Sequence, residues 1–193
     1  MKSFWQRVLI VCGVASILTL ALISVDYYAQ PIIAKNAVLN LKKGVLRANA
    51  ISYTDKNVEQ VFRSHIQEVK IGDHTFYRTK DQAVSFTVTG PGLWAPIEAV
   101  VSLESDLTTI KGLAVLKQAE TPGLGSRVAD PEFLARFRGK SVTPRIEIVK
   151  PGKASGKNQV DGISGATMTS TAFQGILNSE IKKTADIYRG GKP

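Results

Sequence analysis

The sequence has very little of the chemistry that cysteine and histidine provide. Its 193 residues include one cysteine, Cys12, which lies inside an apolar run. Disulfides within the chain, thiolate metal sites and cysteine nucleophiles are therefore excluded. The two histidines, His65 and His74, lack Asp, Glu or His partners at metal-ligand spacing. We therefore expect no metal site, and any redox chemistry would need a bound cofactor.

Acidic residues are also in the minority. The chain has 25 Lys and Arg against 16 Asp and Glu, which gives a net charge of +9. This balance suits a polyanion, an anionic membrane surface or an acidic cofactor. The basic residues are scattered, however, and the densest group (Lys42, Lys43 and Arg47) has no aromatic residues interleaved with it. We therefore expect no nucleic-acid partner.

Two short stretches resemble catalytic motifs without meeting their requirements. In "PGKASGKN" only three residues separate Gly152 from Gly156, and Asn158 follows Lys157 where a phosphate-binding loop needs Ser or Thr. The residues around Ser164 do not have serine-hydrolase spacing, and neither histidine has an evident acidic partner. We therefore expect no catalytic residue in this chain.

One long apolar run stands near the N-terminus. Val8 to Val25 carries no charge and is about long enough to cross the hydrocarbon core of a bilayer. Trp5 and the Tyr27–Tyr28 pair flank it, as interfacial aromatic residues do. No pair of small residues suited to signal cleavage follows the run. The sequence therefore predicts a retained transmembrane helix at about 8–25, within an N-terminal anchor over 1–29.

The remainder is expected to lie outside the cytoplasm. Lys2, Arg7 and the amino terminus precede the span, which favours an inside N-terminus and a periplasmic or extracellular C-terminal domain. We predict a connecting helix over 30–50 and a folded domain over 51–193. Short alternating strands with helices at both ends, and no regular βαβ order, predict an α+β fold with a mostly antiparallel sheet flanked by helices.

Two glycine-containing stretches have both structural and functional interpretations. In "DGISGATMTS" (161–170), Gly162 and Gly165 precede a predicted helix, whose first amide groups would suit an anion such as a phosphate. Ser164 or Thr167 would instead simply cap that helix. "ETPGLG" (120–125) is either an ordinary Pro-Gly turn or a loop that approaches a planar ligand. Trp94 in "GPGLWAP" is likewise either a core or hairpin-end tryptophan or part of a loop that approaches a planar ligand.

The segment "DGISGAT" fits the pattern Asp-x-x-(Ser/Thr)-Gly-Ala-Thr of the FMN-binding domain family. That family occurs in the G subunit of Rnf electron-transport complexes and in the C subunit of the Na+-translocating NADH:quinone reductase. "ETPGLG" resembles its second landmark, and one N-terminal span before an outer domain is also similar to those subunits. The short length resembles the Rnf G subunit, whereas "GPGLW" resembles the quinone-reductase subunit, so the Rnf type is our main expectation and the quinone-reductase type the alternative.

The resemblance implies covalent FMN, joined by a phosphoester to Thr167 and installed by a flavin transferase that uses FAD. It also implies a role in electron transfer among the membrane subunits of an ion-translocating complex, without independent catalytic activity. An alternative of another class is a membrane-anchored module that binds anions noncovalently. The other cofactor-binding residues implied are Asp161, Ser164, Gly165, Ala166, Glu120, Thr121, Leu124 and Gly125, to which we add Trp94.

Overall fold

The computed structural model describes residues 2–191. Its contacts divide the chain into two compact units, one ending at Leu39 and the other beginning at Asn40. A single helix, α1 (Lys2–Ala48), contributes residues to both units. Its most apolar window is unburied, and by length and composition the helix can cross a membrane.

In the second unit, five consecutive strands form one antiparallel sheet in chain order. They are β1 (Ile66–Ile71), β2 (His74–Thr79), β3 (Val84–Pro91), β4 (Pro96–Leu103) and β5 (Ile110–Lys117). The turn between β4 and β5 is held by Asp106, whose carboxylate accepts hydrogen bonds from the amides of Thr108 at 2.8 Å and Thr109 at 2.9 Å. The strands are joined by short turns, which is why the sheet has no crossovers.

A long C-terminal helix, α4 (Thr167–Gly190), packs its apolar side on the sheet. Phe173, Ile176, Leu177 and Ile181 recur at helical spacing, and all four are buried in the main core. The ring of Phe173 also meets Phe137 edge to face, with ring centroids 6.0 Å apart. The N-terminus of α4, where "DGISGAT" ends, is thus anchored by the core of the domain.

Shorter elements complete the unit. They are α2 (Val58–His65), a 3-10 helix (Gly125–Ala129), α3 (Pro131–Ala135) and the parallel pair β6 (Glu147–Val149) and β7 (Gln159–Asp161). Helix α3 contacts β5, and the 3-10 helix contacts both β5 and α4. Strand β7 leads directly into the turn before α4.

The predicted fold class is confirmed. The structure is α+β, with a five-stranded antiparallel sheet, flanking helices and a long apolar N-terminal helix. The helix predicted to follow Gly162 and Gly165 is α4. The boundaries predicted at 29 and 50 stay predictions, and Met1, Lys192 and Pro193, which belong to the predicted segments 1–29 and 51–193, lie outside the described residues.

Two substitutions in α4 should change stability in opposite directions. Phe173→Ala removes a fully buried ring from the core and should lower the free energy of unfolding by about 3–5 kcal/mol.

Gly175→Ala lies on the same helix, where an added Cβ would meet no atom within 4 Å. It should raise the free energy of unfolding by about 0.5–1 kcal/mol. Chemical denaturation of the full chain would measure both changes. An unchanged free energy of unfolding in Phe173→Ala would contradict this description of the core.

Candidate functional site

The carboxylate of Glu120 joins three separate segments of the chain. Its Oε1 accepts hydrogen bonds from the backbone amides of Leu93 at 2.9 Å and Trp94 at 3.1 Å, both in the turn between β3 and β4. Its Oε2 accepts a hydrogen bond from Thr169 Oγ1 at 2.8 Å, in the first turn of α4. The predicted loop "ETPGLG" therefore meets both the "GPGLWAP" turn and the end of "DGISGATMTS".

Glu120 is only 5% exposed, yet it is ionised more readily than a free glutamate. Burial is the largest single influence and raises the pKa. Hydrogen bonds from Trp94, Thr169 and Leu93 favour the carboxylate and together outweigh burial, so the pKa of Glu120 lies below its ordinary value. The site therefore contains a buried negative charge that is compensated by neutral donors.

Two glycines allow the segments to pack this closely. A Cβ on Gly125 would lie 2.6 Å from Thr169 Oγ1 and 2.9 Å from Glu120 Cβ, which no side chain tolerates. Gly165 has a φ of +80°, and a Cβ there would lie 3.2 Å from Leu124 Cδ2. Leu124 thus lies beside the turn that precedes Thr167, and the two sequence motifs are neighbours in space.

The four hydroxyl residues of "DGISGATMTS" fall into two groups. Thr169 and Ser170 are buried, and both have partners: Thr169 donates to Glu120, and Ser170 Oγ accepts a hydrogen bond from the amide of Ile163 at 3.3 Å. Ser164 and Thr167 are exposed. Only these last two hydroxyls are accessible to a reagent or ligand from solvent.

Thr167 is the first residue of α4, and neither it nor Ser164 caps the helix. The N-cap position is occupied by Ala166, without a side-chain hydrogen bond to the first turn. The capping interpretation is therefore wrong for these two hydroxyls. The amide of Ala166 donates to Ile163 O at 3.1 Å, so it is not free for an anion as the sequence suggested. The amides at the start of α4 still present the positive end of the helix beside Thr167.

Asp161 supports a loop and does not face Thr167 through its carboxylate. Asp161 Oδ1 accepts hydrogen bonds from the amides of Lys153 at 2.9 Å and Ala154 at 3.0 Å. The hydrogen bond from Ala154 is the largest cause that lowers its pKa below the ordinary value, with desolvation opposing it. The Arg136 guanidinium donates to the carbonyl oxygens of Asp161 at 3.0 Å and Gly162 at 3.3 Å, which fixes the backbone entering the turn.

Apolar side chains are exposed on the segments that Glu120 joins. Trp94 is 73% exposed, Leu124 46% and Leu93 43%, and Met168, next to Thr167, is 66% exposed. Large apolar groups that remain open to solvent mark a surface for a ligand or partner. Trp94 therefore lies at the end of the β3–β4 hairpin and not in the core. Thr121 is also exposed, and its carbonyl accepts hydrogen bonds from Leu124 and Ser126, both at 3.1 Å, which shapes the "ETPGLG" loop.

Sequence reasoning missed Thr169, Arg136, Leu93 and Met168. Thr169 gave a usable signal, because a threonine two residues into a helix is a reasonable partner for a buried acid. Arg136 gave none, since its contacts are to backbone carbonyls 25 and 26 residues away. Among residues 2–191, no cluster of His, Cys, Asp and Glu is arranged to hold a metal ion.

Glu120→Gln should destabilise the domain in a pH-dependent way. A glutamine keeps one oxygen acceptor where the carboxylate has two, so at least one of the three donors loses its partner, at a cost of about 1–3 kcal/mol. Because the folded-state pKa is lowered, the carboxylate stabilises the fold above the unfolded-state pKa and loses that effect as pH falls through the folded-state value. The difference in unfolding free energy between wild type and variant should therefore be largest near neutral pH and shrink below the ordinary glutamate pKa.

Glu104→Gln, a substitution in the β4–β5 turn, serves as the matched control. A pH-independent difference for Glu120→Gln would contradict the assignment of an ionised buried carboxylate.

Comparison with known proteins gives matches over the region that contains these residues. The sequence model of the FMN-binding domain matches residues 92–182. The C subunit of the Na(+)-translocating NADH-quinone reductase of Vibrio campbellii is 43% identical over 101 residues, which are 49% of this chain and 39% of that protein. The corresponding protein of Pseudomonas aeruginosa is 35% identical over 105 residues, 50% of this chain and 40% of that protein. The matched segment is thus about two fifths of the length of these relatives.

Solved structures share the fold. The C subunit of the same kind of reductase from Parabacteroides distasonis has a TM-score of 0.70 and 24% sequence identity, covering 80% of this chain and 94% of that chain. NqrC from Shewanella oneidensis has a TM-score of 0.70 and 21% identity, covering 81% of this chain and 99% of that chain. Both Glu120 and Thr167, with the turn that carries Trp94, fall inside the matched residues 92–182. The region that holds both motifs is therefore similar to the FMN-binding domain, over slightly less than half of the chain.

Proposed function

We propose that this chain is a membrane-anchored electron-transfer subunit that carries FMN covalently on Thr167 through a phosphoester. The observation that carries the proposal is the exposed Thr167 hydroxyl at the uncapped N-terminus of α4, beside the loop held by Glu120. When bound, FMN supplies one- and two-electron chemistry, while the protein provides position and electrostatics.

The surroundings of Thr167 suit a phosphodiester. The helix N-terminus favours a negative charge at this position, and Thr167 has an accessible hydroxyl where Thr169 and Ser170 have buried, bonded ones. In the attachment step, the Thr167 oxygen would form a bond to the phosphorus of the FMN half of FAD. AMP would leave and the hydroxyl proton would be released. Within residues 2–191 the only side-chain hydrogen bond at Thr167 is the one that its backbone carbonyl accepts from Thr171, and we propose that a separate flavin transferase catalyses the step.

The exposed apolar side chains suit the flavin ring. Trp94 offers an aromatic face and Leu124 an aliphatic surface. Met168 adds a further apolar side chain next to the attachment residue in the chain. We propose that Trp94, Leu124 and Gly125 contact the ring. Glu120 and Thr121 shape the two loops, whereas Ser164, Gly165 and Ala166 form the turn that presents Thr167. Asp161 takes part through the fold of this turn.

The relatives favour the C subunit of a Na+-translocating NADH-quinone reductase over the Rnf type. Our main expectation from chain length thus fits less well than the alternative. We propose that the chain works with other membrane subunits of such a complex. The apolar helix α1 would hold it in the membrane, with the folded domain on the periplasmic or extracellular side, as Arg7 and Lys2 before the span suggest.

Replacing the acceptor should abolish covalent flavin. We expect Thr167→Ala, produced as the full chain together with a flavin transferase, to show no flavin fluorescence after denaturing electrophoresis. The wild type should fluoresce and its intact mass should increase by FMN less one water, localised to the peptide with Thr167. Ser164→Ala is the matched control, because it removes the other exposed hydroxyl, and it should keep the flavin.

Fluorescent Thr167→Ala, or a wild type that stays unmodified, would contradict covalent attachment at this residue. A noncovalent anion-binding module would instead lose all flavin on denaturation, and its affinity for anionic ligands would fall steeply as the salt concentration rises.

Removing the aromatic face of Trp94 should change the fluorescence of the flavin without detaching the flavin. Stacked indole quenches flavin emission, so Trp94→Leu should raise native-state fluorescence several-fold while the fluorescence after denaturation stays unchanged. Trp94→Phe should lie between the two. Equal native fluorescence in all three proteins would exclude contact between Trp94 and the ring.

A further inference from the structure

One cavity lies on the other side of α3 from the turn that precedes Thr167. It has a volume of about 350 Å³ and is formed by residues 47–52, β5 and α3, all within the unit that begins at Asn40. That volume falls within the range of about 300–1,000 Å³ typical of small-molecule sites. None of the residues proposed to hold FMN lines it.

Part of the cavity wall is apolar. Ile51, Leu113, Val115 and Leu134 contribute aliphatic surface. Leu113, Val115 and Leu134 keep 6%, 9% and 8% of their surface exposed, whereas Ile110, on the same strand as the first two, is fully buried. These three core side chains thus keep a small exposed area at the cavity, against which an apolar chain would pack.

The charge at the cavity has one sign. Arg47 and Arg138 both line it, and no Asp or Glu does. Within residues 2–191, neither guanidinium takes part in an ion pair or a side-chain hydrogen bond. A guanidinium binds a carboxylate or phosphate with paired N–H donors. The cavity therefore offers two charged donors beside an apolar wall.

We propose that this cavity binds a single-chain amphipathic anion, an acyl chain with one carboxylate or phosphate head. The chain would lie against Leu113, Val115 and Leu134, and Arg47 and Arg138 would bind the head. A volume near the lower end of the usual range favours one chain over the two chains of a diacyl lipid. Two arginines follow α3 closely in the chain. Arg136 donates a hydrogen bond to the carbonyl of Asp161, before the turn that leads to Thr167, and Arg138 lines this cavity, so the segment after α3 borders both sites.

A photoreactive probe can locate the ligand in the full chain. Dodecanoate with a diazirine in its chain would be crosslinked to the detergent-solubilised protein, and labelled peptides would be identified by mass spectrometry. We expect label in peptides from residues 47–52, 113–115 and 129–138, besides background label in the apolar part of α1. Dodecanoate and dodecyl phosphate should compete for the cavity label, and dodecanol should not.

Three variants test the site without altering the core. Arg47→Gln and Arg138→Gln should each reduce cavity labelling about tenfold, the effect of losing one charged hydrogen-bonding group. Ala135→Trp, at an exposed position that lines the cavity, should block the label by filling the space. Arg63→Gln is the matched control, because Arg63 is exposed and lies away from the cavity.

Label confined to the apolar part of α1 before Leu39, or equal competition by dodecanol, would overturn the proposal. Unchanged labelling of both arginine variants would do the same, and competition by dioleoylphosphatidylglycerol but not dodecanoate would overturn the single-chain assignment. Thermal unfolding should show that all variants remain folded. The outcome is independent of FMN, since Thr167→Ala should label like the wild type.

Discussion

The burial of one ionised carboxylate organises the site. A charged group is costly to remove from water unless donors replace its hydration, and Glu120 obtains those donors only when three segments meet. The β3–β4 turn provides two backbone amides and α4 provides the hydroxyl of Thr169. The same requirement that keeps Glu120 ionised therefore fixes Trp94, Leu124 and the start of α4 relative to one another. Gly125 is part of this arrangement, because any side chain there would separate the segments.

The sheet and α4 supply rigidity where the site needs it. The apolar side of α4 is held by Phe173, Ile176 and Leu177 in the core, so the first turn of the helix cannot move independently of the sheet. The exposed residues at that first turn are then free to serve a ligand. A single helix thus carries core residues along one side and the proposed attachment residue at one end.

Much of this fold could be predicted from the sequence, because its signals are local. The alternating strands, the short turns and the 3.6-residue spacing of α4 each reflect neighbours in the chain. The two motifs also predicted the region where we propose that FMN binds. The contacts that join them could not be predicted, since Glu120 and Thr169 are 49 residues apart and no local pattern specifies such a pair. The capping interpretation was wrong for a related reason: Ser164 and Thr167 are good capping residues, but the turn places Ala166 at the N-cap.

The sorting of the four hydroxyls has a consequence for the order of maturation. Thr169 and Ser170 become buried only when α4 packs on the domain and the hydrogen bonds to Glu120 form. In a nascent chain all four hydroxyls are equally open, so selection by exposure becomes possible only once the domain has formed. An enzyme that acts on the folded domain would therefore meet two open hydroxyls, those of Ser164 and Thr167, where one that acts on the unfolded chain would meet four.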